Sequence, residues 1–390
     1  MTQFFPTLDT KQGKIGDKMI QIDLNAPTIP DTQKVWRLFP GEGYQFLDNF
    51  EEQGIAFLDT PGLVLPDGDL SDVDDWGPRI AHSQGIKNFI SEYGPDEEYE
   101  INLEDFADAT AQGRGRARMS IINFFNTAKH YDIVVLPSPV RMGKILIGQI
   151  GNRRRVKGFA PEKYGNTFIP ARSVEWIGSF RENTISTKLS ESLRNQHAFT
   201  LLEKSLKLEV CALAFGSFVS GDNYVSTVYN QDSFRDSDAA FLSNLSRLAA
   251  AACISLDLGE AGLNPNDIVD ILLREPPLQY TCLQESDIHS EGFTRYISQS
   301  IVSFVIVALA SSYIQLSQVH GAEQMQQEIK KMVIMNSSPN ADPRCTSRVS
   351  EAVKRIYDMV PMDKTMAICD AARSTGGRGI LPSARPRNGN

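Results

Sequence analysis

Two short groups of acidic and basic residues have the composition of a catalytic site. The first is Asp287-Ile-His289 with Glu291, in which carboxylates and an imidazole lie within five positions and could serve acid–base or metal chemistry. It precedes the apolar run 297–309, however, and its context favours a polar loop. The second is Glu328-Ile-Lys330, the acidic-x-Lys pattern that a metal-dependent nuclease uses on a strand. The surrounding stretch 324–333 predicts a polar helix instead, and therefore a surface helical pair.

Other signatures of catalysis are missing from the sequence. It contains no GxxxxGK[ST], no GxSxG and no HExxH. Gly113-Arg-Gly-Arg has the glycines of a phosphate loop but no flanking strand, which favours a flexible basic connection. We therefore expect no metal and no cofactor, and the chain is more typical of a binding protein than of an enzyme.

The cysteines and the first residues of the chain bear on the cellular location of the protein. The five cysteines are widely spaced, without a CxxC pair or a Cys/His cluster of zinc spacing, so we expect structural thiols, with Cys211 and Cys253 buried. Residues 1–6 do not begin a basic and then apolar leader segment. Both observations predict a reducing, cytoplasmic location.

Charge is distributed in blocks. The 390 residues carry a net charge of −9, but residues 42–108 contain 18 acidic against two basic residues, and residues 141–181 contain nine basic against two acidic ones. One interpretation is that the basic block attracts a polyanion while the acidic block keeps it off the remaining surface. The other is that the two blocks are solvated faces that pair with each other. The pattern permits both, and the acidic average excludes only a protein that coats nucleic acid indiscriminately.

One apolar segment has to be compared with a transmembrane helix. Residues 296–322 lack Asp, Glu, Lys and Arg, and the densest part, 301–310, is shorter than the roughly 20 residues that span a bilayer. Serines and glutamines flank it. The segment therefore predicts a buried core helix or a strand–helix junction, and membrane contact is not expected.

The hydrophobic patterns predict an α+β protein of several parts. Short apolar runs bounded by proline and glycine predict strands at 131–137, 144–150 and 169–178, and helical periodicity predicts helices on their flanks. We expect an N-terminal arm over 1–34, a twisted sheet or pseudo-barrel with flanking helices over 35–204, a mixed α/β, helix-rich domain over 205–371 and a disordered basic tail over 372–390.

The middle of the chain resembles a known module. The order of a helix, Asp132-Ile-Val-Val-Leu-Pro137, Lys144-Ile-Leu-Ile-Gly-Gln-Ile150, a basic linker, Arg172-Ser-Val-Glu-Trp-Ile-Gly178 and Leu189-Ser-Glu-Ser-Leu-Arg194 is similar to the N-terminal module of Mrr-type restriction proteins. That module resembles the PUA and EVE folds, pseudo-barrels that hold a nucleobase, often a modified one, in an aromatic pocket. The resemblance covers residues 36–202. The chain departs from it by an acidic insert at 67–75 and a basic insert at 153–163.

The resemblance implies a set of candidate ligand contacts. A protein that reads a base outside the helix stacks it on aromatic rings and holds the adjoining phosphates with cations. The stacking candidates are Trp36, Trp76, Trp176 and Tyr44; the phosphate candidates are Arg114, Arg116, Arg153, Arg154, Arg155 and Arg172. The competing interpretation is that each tryptophan belongs to a core and that the Arg153–Arg155 run is a solvated loop.

The expected function follows from this resemblance. It implies recognition of nucleic acid or of a modified nucleotide, as a sensor or specificity component of a prokaryotic restriction or anti-phage system, with further protein partners or self-association through the second half. One alternative is a diverged metal-dependent nuclease that uses Asp287 or Glu328. A second is a membrane-acting effector that uses residues 297–316.

Overall fold

The computed structural model describes residues 19–110, 112–140, 143–153, 155–182, 185–194, 197–230, 234–287, 292–377 and 380–386. The chain divides into two compact units, residues 32–210 and residues 1–31 with 211–390. The fold is mixed α+β with curled sheets, as the sequence predicts.

The strands are short and the helices are distributed along the whole chain. The strands are β1 Gln21–Asp23, β2 Thr28–Ile29, β3 Val35–Leu38, β4 Ile55–Phe57, β5 Ile133–Leu136, β6 Lys144–Ile150, β7 Val156–Gly158, β8 Ile169–Arg181, β9 Phe199–Leu201, β10 Phe218–Ser220, β11 Asn223–Asn230, β12 Leu283–Asp287, β13 Gly292–Ser298, β14 Val333–Met335, β15 Ile380–Pro382 and β16 Arg385–Pro386. The α-helices are α1 Leu47–Gln53, α2 Trp76–Tyr93, α3 Gly115–Ile122, α4 Pro161–Tyr164, α5 Thr187–Leu193, α6 Lys207–Phe215, α7 Asp236–Asp257, α8 Ile268–Leu273, α9 Val302–Leu316, α10 Ala322–Lys331, α11 Pro343–Met359 and α12 Met362–Gly377.

The 32–210 unit is built on one curled sheet. Its strand order is β4-β8-β6-β5-β3-β9, and β7 extends the sheet by pairing with the first half of β8. β8 is 13 residues long, so it pairs with β4 and β7 near its start and with β6 towards its end. This change of partners along one strand bends the sheet into a half-barrel.

A glycine permits the bend. The register between β6 and β8 shifts between Ile147 and Gly148, the mark of a β-bulge. A Cβ atom on Gly148 would lie 2.5 Å from Cε3 of Trp176, so only glycine lets the indole lie across the strand.

The two faces of this sheet are both buried. Alternate residues of β3 and β5, such as Trp36 and Val134, belong to the main core of the unit, together with Phe50, Phe57 and Phe124. Their neighbours along the strands, including Arg37 and Val135, are fully buried on the opposite face, because successive side chains of a strand alternate. A charged side chain therefore lies inside an apolar environment.

The other unit is organised around α9. Residues 302–313 of this helix are all buried, and it packs against α7, α11, α12 and strand β11. Serines fix the contact with the sheet: Ser303 Oγ donates to the Tyr224 carbonyl at 2.9 Å, and Ser226 Oγ donates to the Ser303 carbonyl at 2.7 Å. β13 leads directly into α9, so the apolar segment is the strand–helix junction and core helix that its length predicts.

The prediction of a disordered tail is wrong for the residues that the structure describes, and the N-terminal arm contains the short strands β1 and β2. In the arm, β1 pairs with β14 in parallel and with β16 in antiparallel orientation, and β2 pairs with β10. In the tail, α12 continues to Gly377 and β15 pairs with β11, with Ile380 and Ala384 buried. Pairing with distant strands orders both segments, which their composition alone does not reveal.

One described helix, α7, meets the length and composition of a membrane span. Half of its 18-residue apolar window is buried within the fold, and it packs against α9. The alternative of a membrane effector rested on residues 297–316, whose apolar surface is occupied by core packing.

Candidate functional site

Trp36 is a core residue rather than an open stacking platform. Its ring is 1% exposed and stacks on Phe199 with a centroid distance of 4.7 Å. Its Nε1 donates to Oδ2 of Asp132 at 2.9 Å. The buried Asp132 carboxylate also accepts the backbone N–H groups of Lys34 at 2.8 Å and Lys129 at 2.9 Å, so it joins β3 to the turn before β5.

We expect Asp132→Asn to lower the free energy of unfolding by about 1 to 2 kcal/mol, because the amide nitrogen cannot accept the hydrogen bonds that one carboxylate oxygen receives. Urea denaturation followed by tryptophan fluorescence measures the loss. Asp96→Asn, at an exposed position of the same unit, is the control and should have no measurable effect. Equal stability of the two variants would contradict this role for Asp132.

The other two tryptophans are also held by the fold. Trp76 is 1% exposed and its Nε1 donates to the Leu70 carbonyl at 3.2 Å. Trp176 is half-buried, and its Nε1 donates to the Phe50 carbonyl at 2.7 Å. In all three cases the indole N–H is satisfied within the protein, which is the usual condition for a core tryptophan. The interpretation of Trp36 and Trp76 as base-stacking residues is therefore corrected, because neither ring is exposed; for the half-buried Trp176 it stays a prediction.

The predicted phosphate contacts do not converge on one site. Arg172 is fully buried, and its Nη1 donates to the carbonyls of Phe124 and Ala128, each at 2.7 Å, so it closes the end of a helical segment instead of facing a ligand. Arg155 pairs with Asp67 at 3.1 Å, which links the basic insert to the acidic insert. Arg114 contacts Gln84 and the Thr110 carbonyl. Arg116 and Arg153 are exposed, and Arg154 lies outside the described residues.

Some cations of the basic block remain available to a ligand. Arg153, Lys157 and Lys163 are exposed, and in the described part of the chain none of them forms an ion pair. Lys157 Nζ lies 5.6 Å from the centroid of the Phe168 ring. The basic block is thus only partly neutralised by the acidic block.

The described part of the chain brings together no nuclease site. Asp287 ends β12, but His289 and Glu291 lie outside the described residues. Glu328 is buried on α10 and Lys330 is exposed, so the predicted surface pair is wrong: residues two apart on a helix do not face each other. Within the described ranges, no group of three or more His, Cys, Asp and Glu side chains is arranged to hold a metal ion.

The most unusual polar group in the 32–210 unit is Arg37. It is 0% exposed, and its Nε, Nη1 and Nη2 have no hydrogen-bond acceptor among the described residues. Burial lowers the pKa of its guanidinium to about 10, and the nearby Tyr44 hydroxyl opposes this change. A buried guanidinium without an acceptor is costly, because each desolvated N–H loses its hydrogen bond to water.

Tyr44 lies beside this guanidinium. Its ring contacts Phe39 edge-on with a centroid distance of 5.1 Å, and Phe39 follows Arg37 on the same face of the chain. Burial raises the pKa of Tyr44, Arg37 lowers it and Glu182 raises it, so all three groups share one environment. Tyr44 is half-buried and borders the Arg37 guanidinium.

Glu182 is close but already engaged. Its Oε1 accepts the Ser190 hydroxyl at 2.7 Å and lies 3.6 Å from Nη2 of Arg194. These contacts hold its carboxylate towards α5. The candidate site therefore consists of Arg37, Tyr44 and Glu182. Of these three residues, Arg37 has the most N–H groups without an acceptor among the described residues.

Sequence reasoning missed Arg37, although one signal was present. The segment Val35-Trp-Arg-Leu-Phe39 is apolar except for this residue, and an arginine within a strand buried on both faces needs a partner.

Comparison of the chain with protein-family models, with curated proteins and with solved structures finds no match.

Proposed function

We propose that the 32–210 unit recognises a nucleotide or a nucleic acid, and that Arg37 binds an anionic group of this ligand. The observation that carries the proposal is the buried guanidinium whose three nitrogens have no acceptor among the described residues.

The chemistry of this group favours an oxyanion. A guanidinium presents parallel N–H donors that match the two oxygens of a phosphate or a carboxylate. In a low-dielectric environment such a charge-assisted pair is stronger than in water. A ligand that supplied two oxygens would accept hydrogen bonds from Arg37 and so remove the cost of burying it. The free energy of these hydrogen bonds, which the ligand-free protein does not form, would favour binding.

We propose that a change in the backbone around Tyr44 gives the ligand access to Arg37. Gly41, Gly43 and Tyr44 all have positive φ, at 79°, 64° and 61°. This conformation is easy for glycine but unfavourable for tyrosine, by about 1 to 2 kcal/mol. A change of the 41–44 turn would relieve the strain, move the Tyr44 ring and expose Arg37, with the ring available to stack on a base.

Two further features support a nucleic-acid ligand. Arg153, Lys157 and Lys163 supply exposed positive charge that the acidic block does not neutralise. The curled half-barrel is compatible with the PUA/EVE-like identity that the sequence suggests, and that identity is part of the proposal. A sensor or specificity role in restriction or anti-phage defence would follow from it.

The test is a binding titration with the full-length protein. Fluorescence anisotropy is measured with labelled single-stranded oligonucleotides that contain cytosine, 5-methylcytosine or 5-hydroxymethylcytosine, at about 50 and about 200 mM salt. We expect at least one oligonucleotide to bind, and Arg37→Met to weaken that binding at least tenfold. Arg79→Met, which removes one positive charge from α2, is the charge-matched control and should change binding less than threefold.

The variants separate the two sources of affinity. The triple change Arg153→Gln, Lys157→Gln and Lys163→Gln should reduce the salt dependence of binding, whereas Arg37→Met should reduce affinity at both salt concentrations. The proposal is wrong if no oligonucleotide binds at either salt concentration, or if Arg37→Met and Arg79→Met bind equally well.

A further inference from the structure

The unit that contains residues 211–390 exposes an unusual set of aliphatic side chains. Leu258, Val269, Leu273, Leu278 and Leu283 are between 61% and 87% exposed and lie within 26 residues of sequence. Among the described residues, the only other large hydrophobic side chain more than 60% exposed is Val140, in the other unit. We call these five residues the leucine patch. Such a concentration differs from the single exposed leucines that every protein surface carries.

Helix α8 supplies two residues of the leucine patch, Val269 and Leu273. Five of its six residues are aliphatic, and Ile268, Ile271 and Leu272 pack against the core of the unit. Val269 and Leu273 are four residues apart, so they lie together on the outer face. A helix that is apolar on both faces is normally covered on both. The outer face of α8 therefore indicates a partner.

Leu283 of the leucine patch lies on a free strand edge. Leu283 begins β12, which pairs with β13 and, in the described part of the sheet, with no other strand. Its side chains from Leu283 to Ser286 are exposed. An uncovered edge strand offers backbone N–H and C=O groups to an added strand, so an extended segment of a partner can hydrogen-bond here.

The charge around the leucine patch identifies the chemistry of the partner. Residues 257–287 contain seven acidic residues and one basic residue. Three of the carboxylates are paired with arginines: Asp257 with Arg348, Asp270 with Arg274 and Glu285 with Arg295. Three others, on Glu260, Asp267 and Glu275, are exposed and form no ion pair among the described residues. A second copy of this chain would bring the same negative surface against itself across a two-fold axis. An anionic lipid surface or a nucleic acid would be repelled in the same way.

We propose that the leucine patch is a docking surface for a basic amphipathic polypeptide segment. The partner presents aliphatic side chains that cover Val269, Leu273 and Leu278, and lysine or arginine side chains that meet the surrounding carboxylates. Apolar burial supplies the affinity, and the charges supply selectivity and a faster association rate.

The experiment uses the full chain and two synthetic helical peptides of about 18 residues, long enough to form a helix. One combines leucine with lysine, and the other has the same leucines with glutamate. Anisotropy titrations should show binding of the leucine–lysine peptide and at least tenfold weaker binding of the leucine–glutamate peptide. The double variant Leu273→Ser, Leu278→Ser should weaken binding of the leucine–lysine peptide at least tenfold, whereas Val140→Ser, at an exposed position outside the patch, should leave it unchanged.

Three outcomes would overturn the proposal. The first is that the double variant binds the leucine–lysine peptide as well as the unmodified protein does, since the affinity would then be nonspecific attraction to an acidic protein. The second is equal binding of both peptides, because the acidic rim would then play no part. The third is a concentration-dependent dimer, measured by light scattering, that the double variant abolishes, because the leucine patch would then be occupied by a second copy of the chain.

Discussion

Replacement of Arg37 with methionine is expected to raise the free energy of unfolding of the 32–210 unit by about 1 to 3 kcal/mol at neutral pH. Burial lowers the pKa of the guanidinium from its ordinary value to about 10, and a shift of that size corresponds to about 3 kcal/mol of unfavourable free energy while the group is protonated. The pKa in the folded state is lower than in the unfolded state, so the penalty is complete below pH 10 and declines as the pH rises further. Methionine has a similar shape and no charge to bury.

A second buried arginine of the same unit provides the matched control. Arg172 is equally buried, but its Nη1 donates to the Phe124 and Ala128 carbonyls. We expect Arg172→Met to lower the free energy of unfolding by about 2 to 4 kcal/mol, because both carbonyls lose a charged donor. The two substitutions are identical in chemistry and opposite in expected sign.

Urea denaturation followed by tryptophan fluorescence measures both variants. All three tryptophans, at positions 36, 76 and 176, lie in the 32–210 unit, so the signal reports on this unit alone. If Arg37→Met destabilises the unit as Arg172→Met does, Arg37 is a structural residue and its proposed role in ligand binding is wrong.

Local sequence signals predicted several of the individual elements. The prediction of strands at 131–137 and 144–150 corresponds to β5 at Ile133–Leu136 and β6 at Lys144–Ile150. Both are short apolar runs bounded by proline or glycine, which is information that the segment itself carries. The same applies to the apolar segment after residue 296, whose length distinguishes a core helix from a membrane span.

Long-range pairing could not be predicted in this way. Within the described part of the arm, β1 pairs with β14, more than 300 residues away, and within that of the tail, β15 pairs with β11. Three-residue strands such as β1 and β15 have no periodicity of their own, so only their partners define them.

The candidate site shows the same division between local and long-range information. A tryptophan on a strand has the same sequence signature whether its indole faces a ligand or a core, and the contacts of Trp36 with Asp132 and Phe199 decide the question. For Arg37, in contrast, the sequence alone indicates burial, because its neighbours are apolar. What the sequence does not reveal is that no acceptor lies opposite it among the described residues.

The unit that contains residues 211–390 is expected to lose about 4 to 6 kcal/mol of stability between about pH 9 and about pH 10.5. Burial raises the pKa of Cys253, Cys282, Cys345 and Cys369 from 9.0 to about 12. Because the folded pKa is the higher one, each thiol stabilises the fold fully below pH 9 and loses this contribution as the pH rises towards 12. Burial also raises the pKa of Tyr296, Tyr313 and Tyr357, which adds to the loss above about pH 10.

The two units can be followed separately in one sample. All five cysteines lie in the unit that contains residues 211–390, and all three tryptophans lie in the other. In urea titrations with a reductant present, far-UV circular dichroism should show a transition that moves to lower urea as the pH rises from 8 to 10.5. The transition measured by tryptophan fluorescence should move much less.

Cys253→Ala should reduce the pH dependence of the transition measured by circular dichroism by about 1 kcal/mol per pH unit, since one thiol contributes about 1.4 kcal/mol per unit of pKa shift. If both transitions move together, or if Cys253→Ala leaves the pH dependence unchanged, ionisation of the buried thiols is not the cause.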